Sequence, residues 1–209
     1  MRIGMLVSPM ASLRATRQLA SAFHRYVPAE VTLVELPLAQ VPIQPPYDDA
    51  PLPQAGTAWK AQFGQFDALV VLVRARTRSV PGHLKIGIDW ASQPEQANAL
   101  RDMPCVVVAV GEGRRPSFLA LQHARTVLSD AGANVMRRPD FALVIHPESF
   151  GPEGVVTDPE LAEGITDVLH SAAGFSAHHR RAESLELPEL PPAPPALVPN
   201  AQRTHGPVL

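Results

Sequence analysis

Four cations and no acid stand between Arg74 and Lys85, in the stretch RARTRSVPGHLK. An arginine plane stacks on flat rings and donates to carbonyl and phosphate oxygens. Arg74, Arg76 and Arg78, with the hydroxyls of Thr77 and Ser79 among them, therefore suit a ring-shaped or anionic ligand. A solvated loop of cations with no ligand is the plain alternative. A second group lies in SPMASLRAT, residues 8 to 16. There a strand gives way to a helix, whose first N–H groups are unpaired and carry partial positive charge, a setting for phosphate. Ser12 and Thr16 can donate hydroxyl hydrogen bonds and Arg14 adds a full charge; equally, Ser12 or Thr16 serves only as the helix cap. A third group, GEGRRPSF from residue 111, pairs Gly111 and Gly113 with Arg114 and Arg115. Glycines there permit close approach of a ring edge, and the arginines suit a phosphate group.

Other reactive residue types read as structural. The single cysteine, Cys105, begins the apolar run CVVVAV and packs as a small hydrophobe. His178 and His179 have no second ligand pair at metal-binding spacing. His83 is a solvated or satisfied histidine, Trp90 a packing residue, and Asp89 a structural or interface partner. No Ser-His-Asp or Cys-His arrangement stands out, so no catalytic side chain and no metal site is assigned.

The elements that must hold these loops follow from periodicity. RIGMLVS and VTLVEL read as strands. DALVVLV and CVVVAV are apolar without alternation, as strands covered on both faces of a parallel sheet are. DFALVI is the last strand. Between them, Leu19, Phe23 and Val27 mark one helical stripe. Trp59 and Phe63 mark another, and HLKIGIDWAS a third. PSFLALQHARTVLSDAG follows, and a closing helix is capped by Asp158 with Pro159 just inside. Strands alternating with helices predict a three-layer α/β sandwich around a five-stranded parallel sheet. In the order 2-1-3-4-5, the ligand crevice lies at the carboxyl ends of strands one, three and four. Those ends lead into residues 8–16, 74–82 and 111–117, the three loops above.

Three stretches, taken in order, resemble the NADPH-dependent FMN reductase family of flavodoxin-like proteins. They are ASLRATRQLA after the first strand, SVPGHLKIGIDWAS after the third, and PELAEGITDVL in the closing helix. The second is the specific one: Ser79, Val80, Pro81, Gly82, Leu84, Lys85, Ile88, Asp89 and Trp90 match the family pattern. The resemblance covers most of residues 1 to 172 and implies the flavodoxin-like fold with FMN and NAD(P)H as cofactors. Ser12, Arg14 and Thr16 would hold the FMN phosphate. Arg74, Arg76, Thr77, Arg78 and Ser79, with Gly111 and Gly113, would lie at the rings. The chain departs from the family pattern at Ala11, where a glycine is usual, and at Arg74–Arg78, where the family carries Pro-Glu-Tyr-Asn-Gly. The implied activity passes hydride from nicotinamide to FMN and on to a quinone, a flavin or another small-molecule acceptor. The family's habit of assembly implies a homodimer or homotetramer.

The chain of 209 residues, with net charge −2 and pI about 6.4, gives no general attraction to nucleic acid or anionic membrane. No run approaches the ~18 apolar residues of a membrane helix. MRIGMLVSP is too short an apolar run, too soon broken by Pro9, for a signal peptide, and a lone cysteine fits a reducing cytoplasm. Half of the residues from Pro188 to Pro199 are proline. The expected organisation is thus a folded domain over 1–175 and a proline-rich arm over 176–209. The second function class is a flavodoxin-like binding or assembly protein that has lost flavin. It would act through the arginine loop and dock a protein partner through that arm.

Overall fold

The computed structural model describes residues 1–43, 52–75, 78–151 and 154–184. Strand β1 (Arg2–Val7) leads into helix α1 (Leu13–Arg25), then β2 (Thr32–Leu36), α2 (Gln54–Ala61), β3 (Ala68–Arg74) and α3 (Gly82–Ser92). Strand β4 (Pro104–Gly111), α4 (Arg114–Asp130), β5 (Asn134–Val135), β6 (Phe141–Val144) and α5 (Pro159–Glu183) complete the order. The path β2-β1-β3-β4-β5 is parallel throughout, and β6 also pairs in parallel with β4. The flavodoxin-like order is as expected, with a sixth strand. The run expected to form the fifth strand is β6, and the two-residue β5 precedes it on the same edge of β4.

The doubly apolar runs sit where burial on both faces demands them: the side chains of β3 from Ala68 to Val73 and of β4 from Pro104 to Val110 are buried. One face packs α1 and α5 around Ile3, Met5, Phe23, Val70, Val108 and Ile165. The other packs α2, α3 and α4 around Trp59, Leu69, Val71, Trp90, Val107 and Leu121. Cys105 belongs to this second face at 0% exposure, and burial pushes its thiol up to about 12. No nucleophilic thiolate forms there at neutral pH. Trp90 is fully buried, as a packing residue should be.

Helix α2 lies against the Trp90 indole. A Cβ added at Gly56 would stand 2.3 Å from Trp90 Cζ3 and 2.5 Å from Cε3 and Cη2. The ring cannot swing aside, because its Nε1 donates to Pro42 O at 3.1 Å. Gly56→Ala is therefore expected to destabilise by about 1–3 kcal/mol, the usual cost of overpacking, read as a lower denaturant midpoint. Gly64→Ala, where nothing lies within 4 Å of the added carbon, is the neutral control.

Helix α5 begins as its sequence predicts: Asp158 Oδ1 accepts from the N–H groups of Glu160 (3.0 Å) and Leu161 (3.4 Å). The domain end expected near Phe175 falls inside this helix, which runs on to Glu183. No proline or glycine interrupts 175–183, and the added turns are tied down at the amino edge of the sheet. Ser176 Oγ donates to Asp67 O at 2.9 Å, and Arg180 Nη1 to Asp67 Oδ1 at 2.8 Å. Asn134 and His179 share a hydrogen bond at 3.0 Å. The proline-rich stretch from Pro188 lies outside the described residues. Among described residues no helix is long and apolar enough to cross a membrane, and no cluster of three or more His, Cys, Asp or Glu could hold a metal.

Candidate functional site

A cleft of about 710 Å³ opens at the carboxyl edge of the sheet, within the range of cofactor sites. Its walls come from four loops. The β1–α1 turn gives Met10, Ala11 and Ser12, continued by Arg14, Ala15 and Gln18 of α1. The end of β3 gives Arg74 and Ala75, and the β4–α4 turn gives Gly111, Glu112 and Gly113. The loop between β6 and α5 gives Ile145, His146 and Phe150.

Helix α1 starts at Ser12, whose Oγ accepts from Ala15 N at 3.1 Å. That fills one orphan donor and leaves the hydroxyl hydrogen to donate. Thr16 N donates to Ser12 O at 3.0 Å. The N–H groups of Leu13 and Arg14 have no protein partner among the described residues. With no acid in the first turn and the exposed Arg14 beside it, this end of the cleft is electropositive. Thr16 does other work. Its Oγ1 accepts from Met10 N and donates to Ser12 O, each at 2.9 Å, so the hydroxyl locks the turn from beneath and is not part of the cleft lining.

Arg74 ties the first two loops together. Its backbone N–H donates to Ser8 Oγ at 2.7 Å, and its Nη1 to Met10 O at 2.9 Å. One edge of the guanidinium is thereby fixed while the side chain lines the cleft. Beyond it, Arg76 and Thr77 lie outside the described residues. Arg78 sits in the left-handed region at φ 58° and is exposed. Ser79 Oγ pairs with His123 Nδ1 at 3.0 Å, holding this part of the loop to α4. Neither Arg78 nor Ser79 lines the cleft.

In the third loop, Gly111 is required by its neighbours. An added Cβ would lie 2.9 Å from Ser117 Oγ and 3.0 Å from Ala75 Cβ. Ser117 Oγ is itself held by Gly113 O at 2.8 Å. At Gly113 the nearest atom would be Pro116 Cδ at 3.7 Å, an ordinary contact. Gly111→Ala should displace the β3 and β4 ends and cost about 1–3 kcal/mol. Gly113→Ala, which meets no close contact but replaces the N-cap of α4, should cost less, about 0.5–1 kcal/mol. Thermal melts of the two variants check the contrast. Arg114 pairs with Glu160 in an exposed ion pair and is not part of the cleft lining.

Five sequence-selected residues thus meet in one cleft: Ser12, Arg14, Arg74, Gly111 and Gly113. Sequence reasoning missed the wall formed by Ile145, His146 and Phe150. A usable signal existed, because a parallel sheet brings every strand-to-helix loop to the same edge. The cleft combines phosphate-type donors at the α1 end with apolar surface from Val110, Pro116, Ile145 and Phe150, a donor set fit for a phosphorylated ring compound such as FMN.

Residues 1–147 match the family model described as NADPH-dependent FMN reductase. A 2-hydroxy-1,4-benzoquinone reductase from a Burkholderia species is 25% identical over 149 residues, covering 71% of this chain and 81% of the relative. A quinone reductase of Escherichia coli (strain K12) is 27% identical over 181 residues, covering 81% and 94%. FerB, a flavoenzyme NAD(P)H:(acceptor) oxidoreductase from Paracoccus denitrificans, shares the fold with a TM-score of 0.73 at 23% identity. That match covers 85% of this chain and 97% of the other.

Proposed function

The chain belongs to the NADPH-dependent FMN reductase family, and from that premise we propose how its cleft serves as an FMN-dependent NAD(P)H oxidoreductase. Hydride passes from nicotinamide to FMN and on to a quinone, flavin or similar acceptor. The observation that carries the reading is the continuity of the cleft: the free N–H groups and Arg14 at the start of α1 open onto the Arg74 and Gly111–Gly113 end. That length of donors and apolar wall matches a ligand with an anionic tail and a flat head.

FMN, when bound, supplies the two-electron relay between nicotinamide and acceptor. The chain supplies placement. The N–H groups of Leu13 and Arg14, the Ser12 hydroxyl and the Arg14 guanidinium would hold the phosphate. Arg74, already fixed by Met10 O, would offer a cationic donor to the ring system. Gly111 keeps the β3 and β4 ends close, and Gly113 leaves room for backbone approach. Arg76, Thr77, Arg78 and Ser79 belong to the same proposal as the loop beside the rings, although Ser79 is engaged with His123. Assembly as a homodimer or homotetramer, in the cytoplasm, completes it.

The test is an assay of the purified chain supplied with FMN, NADH or NADPH, and 1,4-benzoquinone, followed by loss of nicotinamide absorbance. Turnover that requires FMN and saturates with quinone is the expected result. Nicotinamide oxidation no faster than with free FMN alone contradicts the reading.

A further inference from the structure

The wall that sequence reasoning missed carries one polar donor. The segment after β6 contributes Ile145, His146 and Phe150 to the cleft, two apolar side chains and an imidazole. A site that presents apolar surface with a single polar handle orients a flat ligand by that handle.

The imidazole is held before any ligand arrives. His146 opens a short turn, Pro147–Ser149, closed by the Ser149 N–H, which donates to His146 O at 3.0 Å and also makes the capping contact to the His146 side chain. In return, His146 N donates to Ser149 Oγ at 3.0 Å. Ser149 is itself anchored. It is 1% exposed, its carbonyl accepts from Thr157 N at 3.0 Å, and its Oγ lies 3.3 Å from Asp158 Oδ2. Asp158 in turn caps α5. The links His146–Ser149–Asp158 therefore fasten the turn that carries His146 to the start of α5. His146 lines the cleft, and an imidazole ring nitrogen can present an N–H donor to a ligand there.

We propose that His146 contacts the bound flavin, donating a hydrogen bond to a carbonyl oxygen of its ring system. This rests on the FMN reading above and adds a residue to it. Reduction increases negative charge on those oxygens, so a fixed donor favours the reduced form over the oxidised one. Ile145 and Phe150 beside it supply the apolar surface against which the ring lies.

The experiment compares wild type, His146→Phe and His146→Gln by FMN titration and by the two-electron midpoint potential of the bound flavin. His146 is exposed, so both variants are expected to fold, and a thermal melt checks it. Loss of one neutral hydrogen bond predicts about fivefold weaker FMN binding in His146→Phe. A fivefold lost bias toward the reduced state makes the potential about 20 mV more negative. His146→Gln keeps an N–H donor and should recover most of both effects. Wild-type affinity and potential in His146→Phe overturn the inference, as does a glutamine variant as impaired as the phenylalanine one. Weaker binding at an unchanged potential also overturns it, by moving His146 from the rings to the phosphate. Failure of wild type to bind FMN would instead sink the functional reading itself.

Discussion

Arg14→Ala weakens FMN binding by about ten- to a hundredfold and leaves riboflavin binding unchanged. The magnitude is that of one charge-assisted hydrogen bond, about 1.5–3 kcal/mol. Riboflavin lacks the phosphate, so its affinity reports on the rings alone. Arg14 is exposed, at the second position of α1. The substitution leaves the Ser12 cap and the Thr16 lock in place, so the fold is not at risk. Titration of both flavins against both proteins, followed by flavin fluorescence, gives the answer. Equal losses for FMN and riboflavin would mean that Arg14 does not meet the phosphate.

The largest expected effect on stability lies away from the cleft, at Asp140. Its carboxylate receives Arg125 on one oxygen and Arg138 on the other. Arg125 is 11% exposed and also donates to Pro139 O at 3.0 Å, fastening the entrance of β6 to the middle of α4. Its Nε is buried without a partner, so the guanidinium depends on Asp140 for compensation. Breaking a buried pair by removing one partner strands the other charge. Asp140→Ala is expected to cost about 3 kcal/mol, a fall in Tm of about 6–12 °C for a chain of this size. Arg138→Ala, at a position 82% exposed, is expected to cost less than about 1 kcal/mol. Thermal melts of the two variants compare them; equal effects would remove the special weight given to the buried arginine.

The order of the sheet was legible because its two central strands are apolar without alternation, a pattern that only burial on both faces explains. Asn134 and Val135 were not legible as a strand. Two residues carry no period, and their pairing with Pro104 and Cys105 is set by the tertiary structure. The length of α5 was hidden by the polar run after Phe175, which suggests a tail but contains nothing that stops a helix. In the site, residue types identified capable donors, and the fold decided which were available. Thr16 and Ser79 have the right hydroxyls, but one is engaged by Met10 and Ser12, and the other pairs with His123 outside the cleft lining. Arg114 has the right charge but stands at the exposed surface beside Glu160, outside the cleft lining. His146 was passed over because IHPES has no charge cluster or glycine pattern. Its place in the cleft arises from where the last strand ends.

A crystal structure of the chain grown with saturating FMN tests the central claim most directly. The prediction is phosphate oxygens within hydrogen-bond distance of the Leu13 and Arg14 N–H groups and the Arg14 guanidinium, with the ring system extending toward Arg74 and Gly111. A phosphate seated elsewhere, or a cleft without flavin at that concentration, would contradict it.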